Sequence, residues 1–201
     1  AAVARAGGRY VEPAVMTSVP PYVLAVPMLL DGPHAAALAP ALSALGFAVE
    51  IASDAYGVAS AIKMCRSVII KGMEALVIES YITARRYGVE AQVLASLAET
   101  FPGLDWERNG DYFFSRVIQH GQRRAEEMRE AAATVREAGL DPLLTAAIAE
   151  RQQWVADLAR AGTFADAEAG VRWREHADGI PADAGTPAAR ATSTAASGRT
   201  R

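Results

Sequence analysis

Lys63, Arg66, Ser67, Lys71 and Glu74 interrupt an otherwise apolar stretch, GVASAIKMCRSVIIKGMEALVIES, residues 57–80. On a helix advancing ~100° per residue, with Lys63 at the origin, Glu74 falls at about 20°, Ser67 at about 40°, Ser60 at about 60°, Lys71 at about 80° and Arg66 at about −60°. The polar side chains therefore share one wedge. Ile62, Cys65, Ile69, Met73 and Leu76 fall on the other side, with Met64, Val68 and Ala75 widening it. The pattern predicts a helix buried on most of its circumference and carrying one polar stripe.

Two readings of that stripe stand open. It can be a solvated face with a Lys71–Glu74 or Arg66–Glu74 ion pair. It can also be a site, because three cations cluster around two small hydroxyls where a small α/β piece gives way to helices, and such junctions favour small-molecule clefts. Partial burial, neighbouring cations and the positive end of a helix all disfavour the ammonium form of a lysine. A lysine so placed can exchange protons near neutral pH, as general acid–base catalysis requires. A guanidinium at Arg66 suits a carboxylate or phosphate on the substrate.

The elements that must position these groups follow from patterning. Strands are expected over 10–16, 23–30 and 47–52, separated by the irregular TSVPPY segment and by a helix over 33–45 that Pro40 kinks or breaks. From 57 the chain reads as helices: 57–87 stopped by Gly88, 89–100, 111–138 stopped by Gly139, 141–160 stopped by Gly162, and a weaker one over 165–177. Pro142 fits the first turn of the fourth. The stretch from Pro181, with no aromatic residue, reads as disordered. The expected organisation is α/β then all-α: an α/β domain over 1–54, a helical substrate and dimerisation domain over 55–178, and a tail over 179–201, with the hinge near 52–57.

Composition narrows the function. A formal net charge of −3 over 201 residues gives no basic footprint for nucleic acid. The longest apolar run, VLAVPMLL, is too short to span a bilayer, and no N-terminal segment reads as a signal peptide. One cysteine, Cys65, makes no internal disulfide, reads as a buried small hydrophobe, and suits a cytoplasmic setting. No metal-ligand spacing and no Ser-His-Asp arrangement stands out. His34, after DGP, reads as a solvated residue at a helix start, and His176 in the weak last helix has no evident partner. Arg123 and Arg124 read as a solvated face paired with Glu127, and Trp106, Trp154 and Trp173 as packing residues.

GVASAIKMCRS resembles the catalytic-helix motif of the β-hydroxyacid dehydrogenase superfamily, which includes 3-hydroxyisobutyrate and 6-phosphogluconate dehydrogenases: Gly57, Ala59 and Lys63 match its Gly, small residue and lysine. YVEPAVMTSVPP resembles its substrate loop, and the helices from Tyr112, with HGQRRAEEM, look like its C-terminal helical domain, in the branch whose C-terminal domain has no assigned function. The resemblance covers roughly 6–177. It implies the C-terminal part of a Rossmann domain, joined by a long helix to a 6-phosphogluconate dehydrogenase C-terminal-like helical domain that helps make homodimers. It implies Lys63 as proton donor or acceptor with Ser67 beside it; Arg66, Met16, Thr17, Ser18 and His120 at the substrate; Val19 and Pro20 at the cofactor; NAD or NADP as that cofactor; and a small hydroxy acid as substrate.

The chain departs from the family pattern at Ser67, where an asparagine is usual, at Arg66, where histidine or asparagine is common, and at Met16, Thr17 and Ser18, which replace Ser-Gly-Gly. These departures point away from 3-hydroxyisobutyrate and 6-phosphogluconate themselves. No GxGxxG occurs, so the chain is expected to lack the first half of its dinucleotide-binding domain. The rival expectation is a non-catalytic helical oligomerisation module, or an inactive truncated remnant.

Overall fold

A computed structural model describes residues 2–164 and 170–184. The chain opens with the short helix α1 (Ala2–Arg5), then the strand β1 (Glu12–Val15), the turn α2 (Val19–Tyr22) and a 3-10 turn (Val23–Ala25). The strand expected over 23–30 is thus confined to β2 (Met28–Asp31). Pro27 has no N–H for a ladder; its carbonyl instead accepts the N–H of Met16 at 2.9 Å. Val23 sits at φ 53°, an uncommon conformation for a β-branched residue.

β2 continues through α3 (Ala35–Ala44) into β3 (Val49–Ser53). α3 runs through Pro40 without a break. The sheet has the order β1-β2-β3, with β1 antiparallel and β3 parallel to β2. A parallel pair needs a crossover, and α3 provides it. In this register Glu12 lies opposite Asp31, and Leu30 opposite both Pro13 and Ile51.

The remaining elements are helices: α4 (Val58–Tyr87), α5 (Glu90–Thr100), α6 (Trp106–Glu137), α7 (Leu143–Arg160) and α8 (Trp173–Asp178). α6 begins five residues before the expected start, because Asp105 caps it: its Oδ1 accepts the Arg108 N–H at 3.0 Å. Of the weak helix expected over 165–177, residues 165–169 lie outside the described residues, and the rest forms α8 from Trp173. Of the expected disordered tail, 185–201 lies outside the described residues. Gly179–Ala184 is ordered: Ile180 is buried, Arg86 donates to the Pro181 carbonyl at 2.9 Å, and Trp154 Nε1 donates to the Ala184 carbonyl at 2.9 Å.

Two compact units form. The first comprises residues up to Ile70 together with Glu130–Pro142, and the second comprises Lys71–Arg129 and the chain from Leu143. The division falls inside α4. The first unit buries Ala14, Leu30, Ala35 and Ala59 between sheet and helices. The second holds the large aromatic core, with Tyr81, Phe114, Val117, Val155 and Trp173 almost fully buried. Covering each such side chain stabilises by about 1.5–3 kcal/mol. Tyr81 donates its hydroxyl to the Trp106 carbonyl at 2.9 Å, and burial pushes its pKa up to about 12. Among the described residues, no helix is long and apolar enough to cross a membrane, and no cluster of metal-ligating side chains forms.

Candidate active site

In the first unit the loop after β1 meets the start of α4. Arg66 Nη1 donates to the Met16 carbonyl at 3.2 Å. Two residues singled out in the sequence, far apart in the chain, are thereby brought together. Thr17, Ser18, Val19 and Pro20 follow on that segment, all four exposed, while Lys63 is half-buried and Ser67 buried.

Two carboxylates that sequence reasoning did not single out hold the first turn of α4. Asp31 is fully buried, and its Oδ2 accepts the Ala59 N–H at 2.8 Å. Glu12 accepts a short hydrogen bond from the Ser60 hydroxyl. An acid at a helix start complements its dipole. Ala59 lies one turn before Lys63, so the two strands fix the turn from which the lysine projects. The available signal was the pair of acids at the ends of two apolar strand candidates. Gly32 belongs to the same corner: at φ 102° the backbone favours glycine, and a Cβ there would run into the Tyr56 ring.

Further along, α4 presents its polar wedge inward. Lys71 and Glu74 lie in the second unit, buried, with Glu74 only 1 % exposed. Lys71 Nζ pairs with Glu127 at 2.9 Å. Arg124 grips Glu74 with both arms of its fork, Nε to Oε2 at 2.9 Å and Nη2 to Oε1. Gln152 donates from α7 to Glu74 Oε2 and to the Lys71 carbonyl, both at 3.3 Å. Neither ion pair expected within α4 is the one formed; Lys71 and Glu74 each find a partner on α6. Arg123 pairs with Glu127 as expected, whereas Arg124 is buried rather than solvated.

Part of the apolar side of α4 is turned outward, while Met64, Val68 and Met73 are half-buried and Ala75 is buried. Ile69 is 64 % and Leu76 70 % exposed, Ile62 is exposed, and Cys65 is exposed rather than buried. The expected inward apolar face is therefore corrected at Ile62, Cys65, Ile69 and Leu76, and partners of opposite charge let Lys71 and Glu74 enter the core.

His120 is carried by the second unit, on α6, half-buried. Burial and then the Arg116, Arg123 and Arg124 guanidiniums hold its pKa below the ordinary histidine value. Burial would raise the Glu127 carboxyl, but Lys71 and the two arginines outweigh it and hold it below the usual carboxylate range. Trp106, Trp154 and Trp173 pack in the second unit, as their types suggested.

Residues 84–155 match the family described as Domain of unknown function (DUF1932). No curated protein matches the chain. A conserved hypothetical protein from Sinorhizobium meliloti 1021 is 40% identical, with a TM-score of 0.73 over 89% of this chain and 60% of that one. A second conserved protein of unknown function, whose structure is described as similar to 3-hydroxyacid dehydrogenases, is 31% identical, with a TM-score of 0.65 over 77% of this chain and 58% of that one. The chain thus spans about three-fifths of the length of these relatives. Its three-stranded sheet and long helices are similar to the fold of that second protein.

Proposed function

We propose that the chain supplies the lysine and the substrate groups of an NAD- or NADP-dependent cytoplasmic oxidoreductase of the β-hydroxyacid dehydrogenase type, acting on a small hydroxy acid as a homodimer. In this reading the sheet is the C-terminal part of a Rossmann domain and the helices from α4 form the substrate and dimer domain. The observation that supports it best is the Arg66 hydrogen bond to the Met16 carbonyl, which sets the loop expected at the substrate beside the helix that carries Lys63.

The groups present fit the nicotinamide end of the cofactor and not its pyrophosphate. Val19 and Pro20 offer exposed apolar surface on the loop after β1, while the sequence holds no Gly-rich turn for phosphates. When bound, the cofactor takes or gives the hydride at the hydroxyl-bearing carbon. The chain's own residues do the rest. Arg66 takes the substrate carboxylate. Lys63 accepts the hydroxyl proton on oxidation, or returns it to the carbonyl oxygen on reduction. Ser67 hydrogen-bonds the same oxygen. Met16, Thr17 and Ser18 border the substrate, and His120 is the further group that the resemblance assigns to it.

In a version that also carries a complete dinucleotide-binding domain, Lys63→Ala is expected to lower turnover of a hydroxy-acid panel by roughly 10²–10⁴-fold, the scale of a lost general acid–base group, with an unchanged circular dichroism spectrum. Wild-type turnover in that variant would sink the role. The second reading, a helical oligomerisation module without turnover, draws on the outward apolar face of α4. Titration with NADH and NADPH, followed by nicotinamide fluorescence, tests the second reading: saturable binding sinks a pure oligomerisation module, whereas no binding means that the pyrophosphate groups of the site come from residues outside this chain.

A further inference from the structure

Lys63 takes part in none of the ion pairs formed among the described residues, although a carboxylate stands close by. Ser60 precedes Lys63 by three residues on α4, which puts their Cβ atoms roughly 5–6 Å apart on one face. The Ser60 hydroxyl donates to Glu12 Oε1. The Glu12 carboxylate is therefore within the span of the flexible lysine stem, yet it is bound to the hydroxyl and not to the ammonium. All three side chains are half-buried, so salt and water would screen a Glu12–Lys63 pair only in part.

The charges at this corner favour such a pair unless something prevents it. Glu12 lies directly opposite Asp31 across the β1–β2 ladder. Like charges so placed repel, and a carboxylate pressed by another is drawn to a cation. Lys63 is a cation on the stripe that begins at Ser60, while the Arg66 guanidinium is engaged by the Met16 carbonyl. The first turn of α4 supplies donors instead. The Ala59 N–H holds Asp31 Oδ2 at 2.8 Å, the Ser60 hydroxyl holds Glu12, and the positive end of the helix offsets both charges.

We propose that Ser60 is a positioning residue for Lys63: its hydroxyl keeps the Glu12 carboxylate off the ammonium and so leaves the lysine able to exchange a proton with a bound hydroxyl. The proposal rests on the reading of Lys63 as the proton-exchanging group. A lysine locked to a carboxylate holds its proton more tightly, and it must break that pair before it reaches a substrate oxygen.

The test uses the full chain, whose two lysines are Lys63 and Lys71. Acetylation by a limiting amount of an N-hydroxysuccinimide ester, read by peptide mass spectrometry, measures Lys63 with Lys71 as the internal reference. Ser60→Ala is expected to lower the Lys63-to-Lys71 ratio about three- to fivefold, the scale of a partly exposed ion pair. Adding Glu12→Gln is expected to restore it, because glutamine has no charge to pair with the ammonium. Ser60→Thr and Ser60→Val share a shape and differ in the hydroxyl, so the first should keep the wild-type ratio and the second should lower it. Circular dichroism confirms that the helices are intact in each variant. A wild-type ratio in both Ser60→Ala and Ser60→Val overturns the proposal, and so does a fall that Glu12→Gln fails to reverse. The ester meets the lysine without cofactor or substrate, so the result is independent of turnover. Activity retained in Lys63→Ala would sink the lysine's part in the reaction and leave the Ser60 restraint standing.

Discussion

Lys63 and Lys71 are the two lysines of the chain, two turns apart on α4, and their surroundings give them different work. Lys71 is buried against Glu127, while Lys63 is half-buried and leads the polar wedge. A lysine-acylating reagent at low stoichiometry is expected to modify Lys63 well before Lys71, read by peptide mass spectrometry; faster labelling of Lys71 would contradict the buried pairing. Glu74 and Arg124 make the sharper case. Breaking a buried, fork-gripped pair by Glu74→Gln strands the guanidinium and is expected to cost about 3–5 kcal/mol, whereas Glu74→Leu with Arg124→Met is expected to cost far less. Urea unfolding of the three proteins decides: equal losses in single and double variants would mean the pair is not the source. At this scale the sequence disclosed the right residues and not their partners. Helical spacing relates Lys71 to Glu74 within α4, but it carries no information on which α6 residue stands opposite.

At the scale of elements, periodicity sorts residues into faces but does not say which face points inward. α4 shows the consequence, since its charged wedge found partners on α6 and α7 while Ile69 and Leu76 faced out. The long helices were legible because Gly88 and Gly139 stop them, and each adopts a positive φ in the fold. The start of α6 was not, because the cap at Asp105 precedes the first apolar repeat. Close packing of α6 on α7 was invisible as well. Gly121 sits where a Cβ would meet the Gln152 carbonyl oxygen at 2.8 Å and the Ala156 Cβ at 3.1 Å. Gly121→Ala would add helix propensity on an exposed helix, by up to about 1 kcal/mol. Here backbone cannot give way as a flexible side chain can, so Gly121→Val is expected to force α6 from α7 and to cost about 1–3 kcal/mol, read as a lower urea midpoint. A stabilised variant would show that the helices are free to separate at this point.

For the molecule as a whole, the order of a small sheet followed by helices was readable from the change of period near residue 57. The return of Glu130–Pro142 to the first unit was not, because it depends on contacts far apart in sequence. The same holds for the core of the second unit, and one of its members gives the chain a pH-dependent stability. His176 is buried, stacked on Phe114 at 6.4 Å and edge-on to Phe164 at 5.8 Å. Burial holds its pKa below the ordinary 6.5, against a weaker upward pull from Glu175 and Asp111. The unfolded chain therefore binds this proton more tightly than the folded one, so stability is full above about pH 6.5 and drains as pH falls through the interval below it. A second acid limb follows at lower pH. Arg174 and Arg172 hold the Glu107 carboxyl below its usual range, Lys71 does so for Glu127, and the folded state loses these attractions once the acids are protonated. Melting temperature against pH should show both limbs. His176→Phe keeps an aromatic ring against Phe114 and removes the ionisable group, so the first limb should flatten while the carboxylate limb stays. A first limb that persists unchanged in that variant would place the titrating group elsewhere. His120 is the natural second suspect, since burial and three arginines depress it in the same direction, and His120→Gln would then be the variant that flattens the curve.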